Sequence, residues 1–316
     1  MDVVQPMLNA THAFTGIPSF ARGPIVPRQS VEADVAVLGV PYDEGTSFRP
    51  GTRFGPRALR EASLRYAFFG PGPGKRGYWD LEASRQRLGR LRLADCGDVD
   101  IVALDLEGNL RRIGEAVETL LSRGVLPVVL GGDHSITFPS VRGHAGRGPL
   151  SLVHIDAHLD YRDEVGGVRF GHGCPIRRIA ELPFIQDIVT LGIRGLRASQ
   201  EDLEAAGARG NRIVTAAAMR RDGLAAALAQ VPRAERIYVT LDVDALDPGI
   251  APGTGTPDPG GLSYTEARDL LQGIARKGRI VGFDLVEVNP WLDPTGVTPL
   301  TAAQLIIEFL AAIFDP

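Results

Sequence analysis

Only two cysteines, Cys96 and Cys174, occur in 316 residues. That is too few for a disulfide framework, so both read as small buried hydrophobes in a chain from a reducing compartment. Basic residues are not in excess: the net charge is −4, and no Lys/Arg cluster supplies the positive face that nucleic acid requires. The Met1–Phe14 segment lacks both a basic stretch and a continuous apolar run, which excludes a secretory leader. Long hydrophobic runs are missing too. The most apolar C-terminal piece, Ala302–Phe314, carries Gln304 and Glu308 and is too short to cross a bilayer. Neither internal repeats nor low-complexity tracts interrupt the chain. These absences leave a soluble, cytoplasmic reading, with neither nucleic acid nor membrane as a partner.

What is present is an alternation of β-branched runs and helical patterns, which predicts a mostly parallel sheet covered by helices. Strands are expected at Asp34–Val40, Arg90–Ala94, Leu126–Leu130, Leu150–Ile155, Asp187–Ile193, Arg236–Leu241 and Arg279–Val286, with a short one at Arg212–Thr215. Helices are expected at Pro56–Ala67, Leu106–Ser122, Glu201–Ala206, Leu224–Gln230, Tyr264–Lys277 and Ala302–Phe314. Ser263 and Glu266 form a capping box, and Pro56 suits a first helical position. The Gly/Pro-rich Gly70–Arg90 stretch reads as a loop excursion within one domain spanning 1–316, of which 1–32 is an N-terminal extension.

Four ionisable clusters fall where expected strands end. They are Asp133-His134, then Asp156-Ala157-His158-Leu159-Asp160, then Asp242-Val243-Asp244, and finally Glu287. Ligands in open α/β sheets bind beyond the carboxyl ends of the strands, so the four clusters should converge. Side chains alternate faces along extended backbone, so Asp156, His158 and Asp160 point the same way, as do Asp242 and Asp244. With His134 this makes four carboxylates and two imidazoles in one cleft. Carboxylates so crowded stay ionised only if cations hold them. Two divalent ions would use all six donors, whereas one would leave some idle. The carboxylate-rich mixture leans towards Mn²⁺, and the imidazoles also suit Zn²⁺ or Ni²⁺. A pocket this negative favours a cationic electrophile over a phosphate ester. Alone, each cluster has a plain reading: a turn, a solvated loop, a salt bridge for Glu287, a loop histidine for His172. His12 and His144 read as surface residues, and His154 as a residue packed at its strand.

The motifs resemble those of the ureohydrolase family, to which arginase and agmatinase belong. The resemblance rests on Gly131–Ser135, Asp156–Asp160, Asp242–Pro248, Ala251–Pro257 and Asp284–Pro290, and extends from about Gly16 to Phe314. It implies a three-layer α/β/α arginase-like fold with an eight-stranded parallel sheet and a binuclear manganese centre. By motif match, one ion would be held by His134, Asp156, Asp160 and Asp242. The other would be held by Asp156, His158, Asp242 and Asp244, with Asp156 and Asp242 bridging. His172 matches the proton-transfer histidine and Glu287 the glutamate that holds the guanidinium group; Asp160 would relay a proton to the leaving amine. Leu159, Thr240 and Cys174 depart from the residues common at their positions. Relatives are commonly trimers or hexamers, so a homo-oligomer is implied. A single-zinc deacetylase on the same fold is the remoter alternative.

The implied reaction removes urea from a small guanidino compound. Agmatine, which would yield putrescine, leads because Asp163 and Glu164 follow the second metal motif and should face the substrate's far cation. Arg162, directly before them, could instead clamp a carboxylate, as in a guanidinobutyrase or guanidinopropionase.

Overall fold

The computed structural model describes residues 12–66 and 77–316. Its strands are β1 (Val35–Gly39), β2 (Tyr78–Asp80), β3 (Arg85–Arg87), β4 (Leu93–Asp98), β5 (Leu126–Leu130), β6 (Leu150–Ile155), β7 (Ile185–Ile193), β8 (Arg212–Thr215), β9 (Ala234–Asp242) and β10 (Gly278–Val286). Eight of them form one sheet in the order β4-β1-β5-β10-β9-β6-β7-β8. Every neighbouring pair in that sheet is parallel. Parallel strands need crossovers, and the helices provide them: α1 (Gly55–Ser63), α2 (Leu106–Ser122), α3 (Thr137–Arg142), α4 (Pro175–Ala180), α5 (Gln200–Arg209), α6 (Ala216–Asp222), α7 (Leu224–Gln230), α8 (Tyr264–Ala275) and α9 (Val297–Phe314).

The alternation of side chains along each strand divides the core into two layers. On one face Val35, Val37, Val128, Leu130, Val239 and Phe283 pack with Leu270 and Ile274 of α8 and Ile306 and Leu310 of α9. On the other, Ala36, Leu38 and Val129 pack against Ile113, Val117 and Leu120 of α2, while Leu152, Ile188 and Tyr238 meet Ile176 and Ile179 of α4. The result is the expected α/β/α sandwich, with strands buried on both sides as parallel sheets require.

Several boundaries differ from expectation. α9 begins at Val297, five residues early, behind Gly296 in the left-handed conformation (φ 71°). The longer helix is apolar enough in length and composition to cross a membrane, yet Leu305, Ile306, Phe309 and Leu310 are buried in the core beside α1 and α8. The Gly70–Arg90 excursion contains the antiparallel hairpin β2–β3; its residues before 77, and Ala67, lie outside the described residues. β4 starts at Leu93 and extends to Asp98, later than the Arg90–Ala94 expected. The capping box of Ser263 and Glu266 is formed at α8.

His144 reverses its expected surface placement. It is fully buried, stacked edge-on against Tyr238 at 5.5 Å, and its Nδ1 accepts from Arg236. Its place at the end of α3, a helix absent from the sequence reading, explains the error.

Candidate metal centre and substrate cavity

The four ionisable clusters emerge from β5, β10, β9 and β6, and these four strands are consecutive in the sheet. The fold therefore delivers all of them to one rim at the sheet's centre.

His134 follows β5 at the start of a short 3₁₀ turn that Asp133 caps by accepting the Ser135 N–H. The His134 ring is fully buried, and Nδ1 stands 3.1 Å from each of three carboxylate oxygens, Asp156 Oδ2, Asp160 Oδ2 and Asp242 Oδ2. Asp156 reaches the other way as well: Oδ1 lies 3.4 Å from His158 Nδ1, which is 3.0 Å from Asp244 Oδ2. Two donor clusters thus share Asp156. Asp242 belongs to the first through Oδ2, while its Oδ1 accepts the Asp244 N–H at 2.8 Å.

Strict alternation does not produce this arrangement. β6 ends at Ile155, and Asp160 adopts a left-handed backbone with φ 48°. That conformation costs a non-glycine residue about 1–3 kcal/mol and is tolerated where surrounding structure enforces it. Here it turns the Asp160 carboxylate towards His134. Glu287, at the end of β10, shows the same strain with φ 64°, and its N–H is held by the Gly132 carbonyl at 2.8 Å.

The donor set fits divalent cations. Donors bound about 2.1 Å from one ion lie about 3.0–3.4 Å apart, which is the spacing around His134. His134 Nδ1 is buried without a hydrogen-bond partner, the state of an imidazole nitrogen aimed at an ion. Electrostatics agree. Burial, reinforced by Asp244 and Asp156, pushes the Asp242 carboxyl well above the carboxylate range, and burial with Asp156 pushes Asp244 up. Burial pulls the His134 and His158 imidazoles down, but the surrounding carboxylates override it and drive both strongly upward. A cluster that must otherwise soak up protons is one that divalent charge would settle.

Outer contacts fix the donors in place, as metal sites require. Thr240 Oγ1 stands 3.0 Å from His134 Nε2, Asp258 Oδ2 stands 2.9 Å from His158 Nε2, and His154 Nε2 stands 2.7 Å from Asp156 Oδ2. Thr240, where the family resemblance leads one to expect serine, keeps the hydroxyl that meets His134. Asp258 is not singled out in the sequence, and His154, buried in its strand as expected, has a further role there in holding Asp156. The signal for Asp258 was faint: it lies at the end of the Ala251–Pro257 motif, far along the chain from His158.

Beside the cluster opens a cavity of about 260 Å³ whose lining includes Asp160, Asp242, His172, Glu287 and Thr256. Glu287 Oε1 accepts from the His134 N–H (2.9 Å) and stands 3.0 Å from His172 Nδ1, while Oε2 is buried with no partner. Glu287 has no arginine partner among the described residues, so the plain salt-bridge reading does not apply. His172 is no free loop residue either. Its N–H donates to the Gly45 carbonyl, and its Nε2 meets both the N–H and the hydroxyl of Ser47, at 3.1 and 2.7 Å. Because a backbone N–H can only donate, Nε2 accepts and the ring proton lies on Nδ1, directed at Glu287. Burial lowers the His172 pKa and the Glu287 hydrogen bond outweighs it, raising the group to about 9; the Ser47 N–H opposes that rise. The loop carrying Ser47 is itself tied to Asp133, whose Oδ2 accepts from Gly45 N–H at 2.8 Å. Burial and then Glu287 lift the Asp133 carboxyl to about 7.

The loop after Asp160 departs from expectation. Tyr161 and Arg162 line the cavity, but Asp163 and Glu164 do not. Asp163 pairs instead with Arg178 and, at 3.0 Å, with Arg169. Leu159 contributes an apolar wall, and Cys174 is buried with Sγ 3.9 Å from the Val168 carbonyl.

Comparison with known proteins agrees with this geometry. The model of the arginase family matches residues 33–312. The mitochondrial guanidino acid hydrolase of Homo sapiens is 38% identical over 286 residues, covering 89% of this chain and 78% of its own length. The mitochondrial agmatinase of Gallus gallus is 36% identical over 306 residues, covering 94% of this chain and 86% of its own. Among solved structures, proclavaminate amidino hydrolase from Streptomyces clavuligerus matches with a TM-score of 0.84 at 34% identity, over 96% of this chain and 99% of that one.

Proposed function

The chain belongs to the arginase family, and on that footing we propose that it hydrolyses a small guanidino compound to urea and a primary amine. In this reading His134, Asp156, Asp160 and Asp242 hold one divalent cation, and Asp156, His158, Asp242 and Asp244 a second; Mn²⁺ suits the oxygen-rich set. When bound, such a pair supplies Lewis acidity, stabilising developing charge and lowering the pKa of water from ~15.7 towards about 7.

The observation that carries the reading is Glu287 Oε2, a buried carboxylate oxygen without a partner, facing the same cavity as the donor cluster. A guanidinium is the cation whose planar N–H fork satisfies such an oxygen. Glu287 would orient the substrate with its central carbon towards the donor cluster, and the hydrogen bonds from His134 and His172 keep Oε1 from rotating away. Water would add to that carbon and give up a proton to Asp160, the C–N bond to the chain nitrogen would break, and Asp160 would pass that proton to the leaving amine. His172 moves protons between Nδ1 at the cavity and Nε2 at Ser47, which is open to solvent.

Agmatine and the guanidino acids both fall within this proposal, since relatives of both kinds match the chain. The support that Asp163 and Glu164 would have lent agmatine falls away with their position outside the cavity. A cytoplasmic setting belongs to the same proposal, and the free, buried thiols of Cys96 and Cys174 suit a reducing compartment. The test is urea release by the Mn²⁺-loaded protein from agmatine, 4-guanidinobutyrate and 3-guanidinopropionate. Wild type should release urea from at least one, and Glu287→Gln should lose roughly a hundredfold in kcat/KM while keeping its metal. Urea from none of them would end the proposal.

A further inference from the structure

The mouth of the cavity has the opposite charge from its floor. Arg162, Arg194 and Arg197 line it, against Glu44 and Asp202. These five groups are not equally free to meet a ligand.

Arg194 is committed to the backbone. Its Nη2 donates to the carbonyls of Asp244 and Asp258 at 2.6 and 2.7 Å, and its Nη1 to that of Ala245 at 3.2 Å. It staples the loops beyond β9 and has little left to offer. Glu44 is likewise engaged, with both oxygens 3.1 Å from the Leu104 N–H. Asp202 accepts from the Ser199 hydroxyl at 2.6 Å and reaches Arg162 Nε only at 4.0 Å. Arg162 therefore keeps most of its charge uncompensated. Its Nη2 donates to the Arg197 carbonyl at 3.0 Å, which ties the two segments together at the mouth. The Arg197 guanidinium has no carboxylate partner among the described residues. Between mouth and floor the wall includes Leu159, Val165 and Val168, a lining suited to methylene groups.

We propose that Arg162 and Arg197 together bind a carboxylate at the cavity mouth, so that this enzyme selects ω-guanidino acids over guanidines that end in an amine. The selection rests on the ureohydrolase reading above. A substrate with a guanidinium at one end and a carboxylate at the other matches a cavity whose floor is acidic and whose mouth is basic. The planar guanidinium forks give that end the geometry for two parallel hydrogen bonds to a carboxylate. An ammonium in the same place would face two arginines, with Glu44 and Asp202 turned to a backbone N–H and a serine hydroxyl.

The experiment uses the Mn²⁺-loaded enzyme and two readouts. The first is kcat/KM for 4-guanidinobutyrate, 3-guanidinopropionate and agmatine, in wild type, Arg162→Ala, Arg197→Ala and the double variant. Wild type should favour an acid over agmatine by about tenfold or more, and each substitution should raise the acid's KM by roughly ten- to a hundredfold, the usual worth of a hydrogen bond to a charged group. The double variant should lose the preference. The second readout is calorimetric binding of 4-aminobutyrate and putrescine, which needs no turnover. 4-Aminobutyrate should bind more tightly to wild type, and Arg197→Glu should abolish the difference. Arg197 is exposed, so its substitution leaves the fold intact. A wild-type preference for agmatine, or an acid KM unmoved in the double variant, overturns the proposal and leaves the ureohydrolase reading standing. Should no guanidino compound yield urea while 4-aminobutyrate still binds through the arginines, the ureohydrolase reading fails and the carboxylate site stands.

Discussion

Replacing Thr240 by valine should loosen the metal centre without touching a metal donor. Thr240 is buried in β9, with Oγ1 3.0 Å from His134 Nε2. Nδ1 of that ring faces three carboxylate oxygens at 3.1 Å, so with a cation on Nδ1 the ring proton sits on Nε2 and is donated to Thr240. The hydroxyl's other polar neighbour is Thr137 Oγ1 at 3.4 Å, which leaves a lone pair for the ring. Valine conserves the volume and removes the acceptor, leaving a buried N–H unpaired. That penalty is about 1–3 kcal/mol. At ~1.4 kcal/mol per decade it corresponds to roughly 5- to 150-fold weaker ion binding, in line with the ~10–100-fold typical of such outer partners. The assay is competition for Mn²⁺ between the metal-free protein and a chelator of known affinity, with thermal unfolding of the metal-free forms as the control for folding. Thr240→Ser, which restores the hydroxyl, should bind close to wild type. Wild-type affinity in Thr240→Val, or equal weakness in the serine variant, would refute the reasoning.

His172→Asn should lower kcat by roughly 10²–10⁴, the range for a positioned acid–base group, while metal content measured by atomic emission stays at wild type. Loss of metal instead would show that the ring supports the donor cluster. Burial, aided by Arg236 and Arg147, holds the His144 pKa down at about 3, against ~6.5 in the unfolded chain. The unfolded state therefore binds a proton first as pH falls, and stability present above pH ~6.5 is lost progressively towards pH ~3. At pH 5 the loss is about 2 kcal/mol, and urea unfolding at pH 7 and 5 should show His144→Leu free of that share. Identical losses in both proteins would contradict it. Burial pushes the Cys96 and Cys174 thiols up to about 11. Thiol reagents at neutral pH should therefore label neither in the folded protein, as mass spectrometry would read out.

Much of this was legible because function here follows sheet position. β6, β5 and β9 carry β-branched runs that end in, or lie within a few residues of, acidic or imidazole side chains, so strand ends and donors announce each other. What sequence could not supply was adjacency. That β1, β5, β10, β9 and β6 lie side by side comes from topology, and it brings together the loops beyond them that pair Asp258 with His158 and Ser47 with His172 across long stretches of chain. Local spacing also misled. Tyr161-Arg162-Asp163-Glu164 looked like a continuous cavity rim, but Arg178 and Arg169 draw Asp163 away, and the charge left at the mouth changes sign. Asp160 came to the right place for a different reason, a strained left-handed backbone in place of strand alternation. The short helices α3, α4 and α6 carry too few turns to show a period, which is why His144 was placed on the surface.

The central claim is that six side chains of this chain hold two divalent cations and that guanidino hydrolysis depends on them. Metal-free protein should be titrated with Mn²⁺ while bound metal and urea release are followed together. Activity should rise from nothing and reach its plateau at two ions per chain, and Asp156→Ala, which removes the carboxylate shared by both donor clusters, should bind neither ion tightly and release no urea. Full urea release from protein stripped of metal, or a plateau at one ion per chain with Asp156→Ala still active, would contradict the account.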